Sequence, residues 1–199
     1  MKSKSPKVTF SNKAKLPTKY GIFNLVSFKS EEDSKEHLIV YMGELSAKKG
    51  VLVRVHSECL TGDVFNSLKC DCGEQLEASL KMISEKQEGV IIYLKQEGRG
   101  IGLFNKVNAY ALQDQGLDTI TANHSLGFET DLRNFDIVTN VVDFLGIESI
   151  QLLTNNPEKI KTISNVTGKL NSVQPLRIAP NPHNADYLKT KKTQLNHML

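Results

Sequence analysis

In the first third of the chain, apolar residues come in short blocks bounded by turn formers. Tyr20–Phe28, His37–Met42 and Val51–His56 are rich in β-branched and aromatic residues, which predicts strands. The period then changes. After a Cys-x-Cys pair, Leu76, Leu80 and Ile83 recur on one face of a helix. Asp71, with Glu74 three residues on, makes a capping-box pattern at its start. Gly89-Val-Ile-Ile-Tyr-Leu94 reads as a buried strand. A glycine-rich turn, Gly98–Gly102, leads into a helix that carries Leu103, Val107, Tyr110, Ala111 and Asp114 and stops at Gly116. Phe135, Val138, Val142 and Leu145 mark another helix, ended by Gly146. Ile150–Leu153 is a short strand, and Asn155-Asn-Pro157 caps a helix with proline in its first turn.

Strands first and alternating elements later predict an α+β or mixed α/β fold. We expect a strand-rich N-terminal part, a mixed sheet flanked by helices, and a single compact domain. Residues 1–14 read as a disordered lead, 15–190 as the folded domain and 191–199 as a polar tail; the segment after Asn181 is expected to end in a helix. No internal repeat or low-complexity linker interrupts the chain.

Composition adds bounds. With 199 residues, 39% hydrophobic and 24% charged, the chain fits one ordinary globular domain. A net charge of +3 suits an anionic ligand without demanding nucleic acid. No run approaches the roughly 18 apolar residues of a membrane span. The lysines near Met1 have no apolar segment behind them, so no signal peptide is expected. Neither a nucleic-acid partner nor a membrane is expected, and the free thiols point to a reducing cytoplasm.

The cysteines change the picture most. Cys59, Cys70 and Cys72 are the only three, in the spacing Cys-x10-Cys-x-Cys. Three buried free thiols would satisfy the pattern. Their clustering in polar, glycine-bearing surroundings instead favours a metal, and three ligands with an open fourth position suit a catalytic zinc.

Other motifs are locally ambiguous. Glu97-Gly-Arg-Gly-Ile-Gly102 follows a strand and precedes a helix, so its amides suit an anion, or simply a tight turn. Glu97 suits the donor edge of a guanine, and Arg99 a phosphate or the base. Thr154-Asn-Asn-Pro-Glu-Lys159 is a second strand-to-helix junction, where a phosphate site competes with an ordinary cap. Thr119 is expected near the end of the preceding helix. Asp131-Leu-Arg133 reads as an exposed ion pair or as a convergent loop. By pattern alone Tyr110 is core. His56-Ser-Glu58 matches half of a nucleobase-deaminase signature, but the required Pro-Cys-x-x-Cys is missing.

Taken together, Arg54-Val-His-Ser-Glu-Cys-Leu-Thr-Gly-Asp63, Cys70-Asp-Cys-Gly73, Gln96-Glu-Gly-Arg-Gly-Ile-Gly-Leu103, Asn123-His-Ser-Leu-Gly-Phe128 and Leu153-Thr-Asn-Asn-Pro157 closely resemble GTP cyclohydrolase II, from about Lys15 to about Leu188. The resemblance implies conversion of GTP to a diaminopyrimidine, formate and pyrophosphate at the start of riboflavin biosynthesis. It implies one catalytic zinc, magnesium on the triphosphate, and a homodimer. It makes Cys59, Cys70 and Cys72 the zinc ligands. It makes Arg54, Val55, His56, Ser57, Glu58, Gln75, Glu97, Gly98, Arg99, Thr119, Thr154 and Lys159 GTP contacts. Asp131 becomes a proton acceptor, Arg133 a nucleophile at phosphorus, and Tyr110 a participant in the ring chemistry. An arginine nucleophile is demanding, because guanidinium resists deprotonation. Stabilisation of phosphoryl charge by Arg133 while water attacks stays open. So does the alternative of another zinc hydrolase acting on a purine nucleotide.

Overall fold

The computed structural model describes residues 6–31 and 35–198. The first four strands are β1 (Val8–Phe10), β2 (Ala14–Thr18), β3 (Gly21–Ser30) and β4 (Glu36–Met42), and all their pairings are antiparallel. β5 (Val51–Ser57), β6 (Gly89–Leu94), β7 (Ile150–Leu153) and β8 (Leu170–Gln174) run parallel to one another. β4 pairs antiparallel with β6 and joins the halves. The result is one eight-stranded mixed sheet of order β1-β3-β4-β6-β5-β7-β8, with β2 on β3. The expected mixed sheet in one compact domain is the architecture observed.

The helices are α1 (Leu60–Asp63), α2 (Cys72–Lys86), α3 (Gly102–Asp114), α4 (Thr119–Ser125), α5 (Val138–Phe144), α6 (Pro157–Thr167) and α7 (Ala185–Gln194). They cover both faces of the sheet. The larger core packs Val51, Val53 and Val55 of β5 against Val138, Val141 and Val142 of α5 and Ile163 of α6. The smaller one packs Leu52 and Ile91 against Ile83 of α2. Because side chains alternate across a strand, Arg54 and His56 fall on the α2 face.

That topology places a site. From β5 the chain crosses through α2 to β6 on one side, and from β6 it returns through α3, α4 and α5 to β7 on the other. β5 is therefore a switch point. The crevice beyond the carboxyl ends of strands at such a point is where open α/β sheets bind ligands.

Several expectations change. The stretch read as a disordered lead contains β1, which pairs with β3 through Val8, Thr9 and Phe10; residues 1–5 of that lead lie outside the described residues. The tail boundary read at residue 190 falls inside α7. Asp71 does precede α2, but its side chain makes no cap there. Thr119 opens α4 instead of ending the preceding helix, and Asp118 caps it by accepting from the Ile120 and Thr121 amides. The junction at Asn155 is as read, with Asn156 accepting from the Glu158 and Lys159 amides and Pro157 in the first turn. Among the described residues, no helix is long and apolar enough to cross a membrane.

Candidate active site

A cavity of about 740 Å³ opens beyond the ends of β5, β6 and β7. The three cysteines converge there. Their sulfurs lie within 4.8 Å of one another, and Cys59 Sγ is 3.6 Å from Cys70 Sγ. Two sulfurs bound tetrahedrally to zinc at about 2.3 Å stand roughly 3.8 Å apart, so the spacing fits. The Cys-x-Cys turn is held close by small residues: a Cβ on Gly73 would lie 2.3 Å from the Gly62 carbonyl oxygen. Hydrogen bonds from Cys70 and Cys72 hold the Cys59 thiol well below its usual range, while the bond to Cys59 pushes Cys70 up to about 11. Three thiolates this close repel one another. A divalent cation is what allows all three to ionise.

The 3-10 turn after β6 sets the next group. Glu97 is nearly buried, and three protein donors use its oxygens: the Leu60 amide at 2.6 Å, the Gly98 amide at 2.8 Å and Lys106 Nζ at 2.8 Å. A carboxylate has about four acceptor sites. Those three bonds leave Glu97 about one free acceptor position. Arg99, in the left-handed region at φ 59°, keeps a buried Nη1 without a protein partner.

Arg54 donates to the Leu153 carbonyl at 3.0 Å and to Gln75 Oε1 at 2.5 Å. Burial lowers it to about 10. His56 Nε2 lies 3.0 Å from both oxygens of Asp63, which also accepts from Tyr93 Oη at 2.8 Å and the Cys59 amide at 3.0 Å. Burial lowers His56. The neutral ring donates from Nε2 and leaves the buried, unpartnered Nδ1 as an acceptor. Val55 does not face the cavity. Its side chain belongs to the core on the opposite face of β5, and its carbonyl accepts from Lys159 Nζ at 2.8 Å.

Asp131 and Arg133 do converge in a loop. Arg133 Nε donates to Asp131 Oδ1 at 2.8 Å, its Nη2 bonds Oδ2, and its Nη1 reaches Ser57 Oγ at 3.3 Å. Burial opposes the Arg133 charge, but the Asp131 bonds outweigh it and raise its pKa. Lys159 behaves otherwise. Burial, with Arg133 and Arg54 nearby, pushes it well below the lysine range. Tyr110 lines the cavity, against the core reading, with its hydroxyl 3.5 Å from Thr61 Oγ1 and its pKa pushed up to about 12 by burial. Ser57, Glu58, Gln75, Gly98, Thr119 and Thr154 line the same cavity.

Three further residues were not singled out from the sequence. Asp63 holds His56. Lys106 touches Cys59. Lys191, from the supposed tail, lies 2.7 Å from Asp71 Oδ1. Lys106 and Tyr110 are one helical turn apart, and that spacing was the available signal. Nothing local marks Lys191.

The sequence model of GTP cyclohydrolase II matches residues 9–170. The chain is 54% identical over 192 residues to a GTP cyclohydrolase-2 of Campylobacter hominis, covering 96% of each. It is 49% identical over 193 residues to one of Histophilus somni, covering 97% of this chain and 89% of that one. With a GTP cyclohydrolase-2 of Haemophilus influenzae the identity is 47% over 194 residues, at 97% and 90% coverage.

Proposed function

The chain belongs to the GTP cyclohydrolase II family, and from that membership we propose that it converts GTP to 2,5-diamino-6-(5-phosphoribosylamino)pyrimidin-4-one, formate and pyrophosphate, the first committed step of riboflavin biosynthesis. One observation carries the reading: a single cavity joins a thiol trio fit for zinc to buried cations fit for a triphosphate.

Cys59, Cys70 and Cys72 would hold zinc, which supplies Lewis acidity for hydrolysis at C8 of the base. Magnesium would travel with the triphosphate. Arg54, Arg99 and Lys159 bind phosphate, with the Thr154 hydroxyl and the exposed amides after β7 beside them. Gln75 and the free Glu97 acceptor meet the base, and His56 offers Nδ1. Tyr110, kept neutral by its raised pKa, donates a hydrogen bond toward the ring.

Arg133 is the pivotal group at phosphorus. Guanidinium resists deprotonation, and its bonds to Asp131 favour a permanent cation over a nucleophile. It therefore stabilises charge on the phosphoryl oxygens, with Asp131 fixing the plane of its fork. A homodimer in the cytoplasm completes the proposal. Exposed Leu103, Phe104 and Val107 along α3 support the dimer, and free thiols serving as ligands support the compartment.

The test is incubation with GTP, zinc and magnesium, assaying formate, pyrophosphate and the diaminopyrimidine together. Ammonia in place of formate would instead indicate another zinc hydrolase of purine nucleotides.

A further inference from the structure

Lys106 has no part in the roles above, yet its ammonium is heavily committed. It lies 3.1 Å from Cys59 Sγ, 3.0 Å from Thr61 Oγ1 and 2.8 Å from Glu97 Oε1. It also stands 5.6 Å from the centre of the Tyr110 ring. Only 10% of its side chain and 8% of that of Glu97 are exposed, so this is a buried ion pair set against a sulfur.

The local fold is built to admit it. Gly98 has φ +61°, and a Cβ there would come 3.1 Å from the Lys106 Cβ. Glu97 is pinned by the Leu60 and Gly98 amides and cannot follow the lysine away. On the same helix Leu103, Phe104 and Val107 are exposed while Lys106 is buried, the inverse of an amphipathic helix packed for stability alone. A buried ammonium is costly unless it is paired, and Glu97 is its pair, which leaves the bond from Lys106 to the Cys59 sulfur as the feature beyond pairing.

The charge count says what uses it. Three thiolates and one divalent cation leave a net charge of −1 on the cluster. Thiolates donate strongly, and an N–H donor on one of them draws that density back. Partners outside the ligand set tune metal sites in this way.

We propose that Lys106 is a positioning residue for the metal centre: by donating to the Cys59 thiolate it orients that ligand and withdraws charge from it, keeping a cation held by Cys59, Cys70 and Cys72 strongly Lewis acidic. The inference rests on the zinc reading of the cysteines.

Cobalt(II) substitution tests it without relying on turnover. The wild-type chain should take up one cobalt per chain and show a near-ultraviolet thiolate-to-cobalt charge-transfer band. Lys106→Met should bind the same amount, with the band moved to longer wavelength because an undonated thiolate gives up its electron more easily. Lys106→Arg should return the band toward the wild-type position. Formate formation by the zinc form of Lys106→Met should fall about 10- to 100-fold. If the methionine variant does not fold, Lys106→Gln, which keeps a donor but no charge, should give an intermediate shift. An unmoved band in the folded variant, whether methionine or glutamine, overturns the proposal; lost formate beside that unmoved band would assign Lys106 to the substrate. Absence of any thiolate–cobalt band in the wild type would instead remove the zinc reading, and this inference with it.

Discussion

The Lys191 ammonium lies 2.7 Å from an Asp71 oxygen, joining residues 120 positions apart. Asp71 stands between Cys70 and Cys72. Its other oxygen accepts from Gln75 Nε2 at 2.5 Å, and Gln75 Oε1 takes Arg54 Nη2. One carboxylate therefore ties the C-terminal helix to the cysteine turn and to the first cation of β5.

Lys191→Met should release that helix. It leaves Asp71 buried without its cation, a change that costs roughly 3–5 kcal/mol in comparable pairs. Hydrogen exchange over residues 185–198 should accelerate, and the KM for GTP should rise because Tyr187, Lys191 and His197 line the cavity. Unchanged protection would show that other contacts dock α7.

Arg133→Lys should cripple pyrophosphate release. The lysine keeps the charge but cannot bond Asp131 through two nitrogens while a third reaches Ser57. A loss of about 10²–10³ in the rate is expected, as for removal of a preorganised donor. Rapid-quench measurement of pyrophosphate checks it, and a near-normal rate would discredit both the stabilising and the nucleophilic role.

Lys159 predicts a pH dependence. In the free protein burial holds its pKa well below 10.5. A bound polyanion favours the ammonium and raises it again. Between those two pKa values binding takes up a proton, so pyrophosphate affinity should fall as pH rises through that window, by up to about tenfold per pH unit. Calorimetry in buffers of different ionisation enthalpy measures the uptake. Lys159→Gln should abolish it, and equal uptake by that variant would assign the proton elsewhere.

Much of this site was legible because its residues sit at strand ends. The apolar runs Val51–Val55 and Gly89–Leu94 announce β5 and β6, and the chemistry follows each directly. What was hidden had physical reasons. Periodicity locates a helical face but not the direction it points: Leu103 and Val107 read as a packed face, whereas α3 buries Lys106 and Ala109 toward the cavity. β2 carries Pro17 on an edge, and β8 is the polar Leu170-Asn-Ser-Val-Gln174, so neither matches a strand pattern. Asp71 had the spacing of a capping box, but a buried lysine and glutamine compete for its oxygens and win.

The two halves of the reaction should separate at the cysteines. Cys72→Ser replaces a soft thiolate with a poor ligand and should empty the metal site. The groups proposed to meet phosphate are fixed by other contacts: Arg133 by Asp131, Lys159 by the Val55 carbonyl, Arg54 by Leu153 and Gln75. None of those bonds runs through sulfur. A folded Cys72→Ser chain should therefore still release pyrophosphate from GTP and accumulate GMP, without formate. Formate at the wild-type rate from a chain verified to be free of zinc would end the assignment of metal to the ring. Loss of both products from a folded chain would show that the cysteine turn, through Asp71 and Gln75, also sets the Arg54 guanidinium.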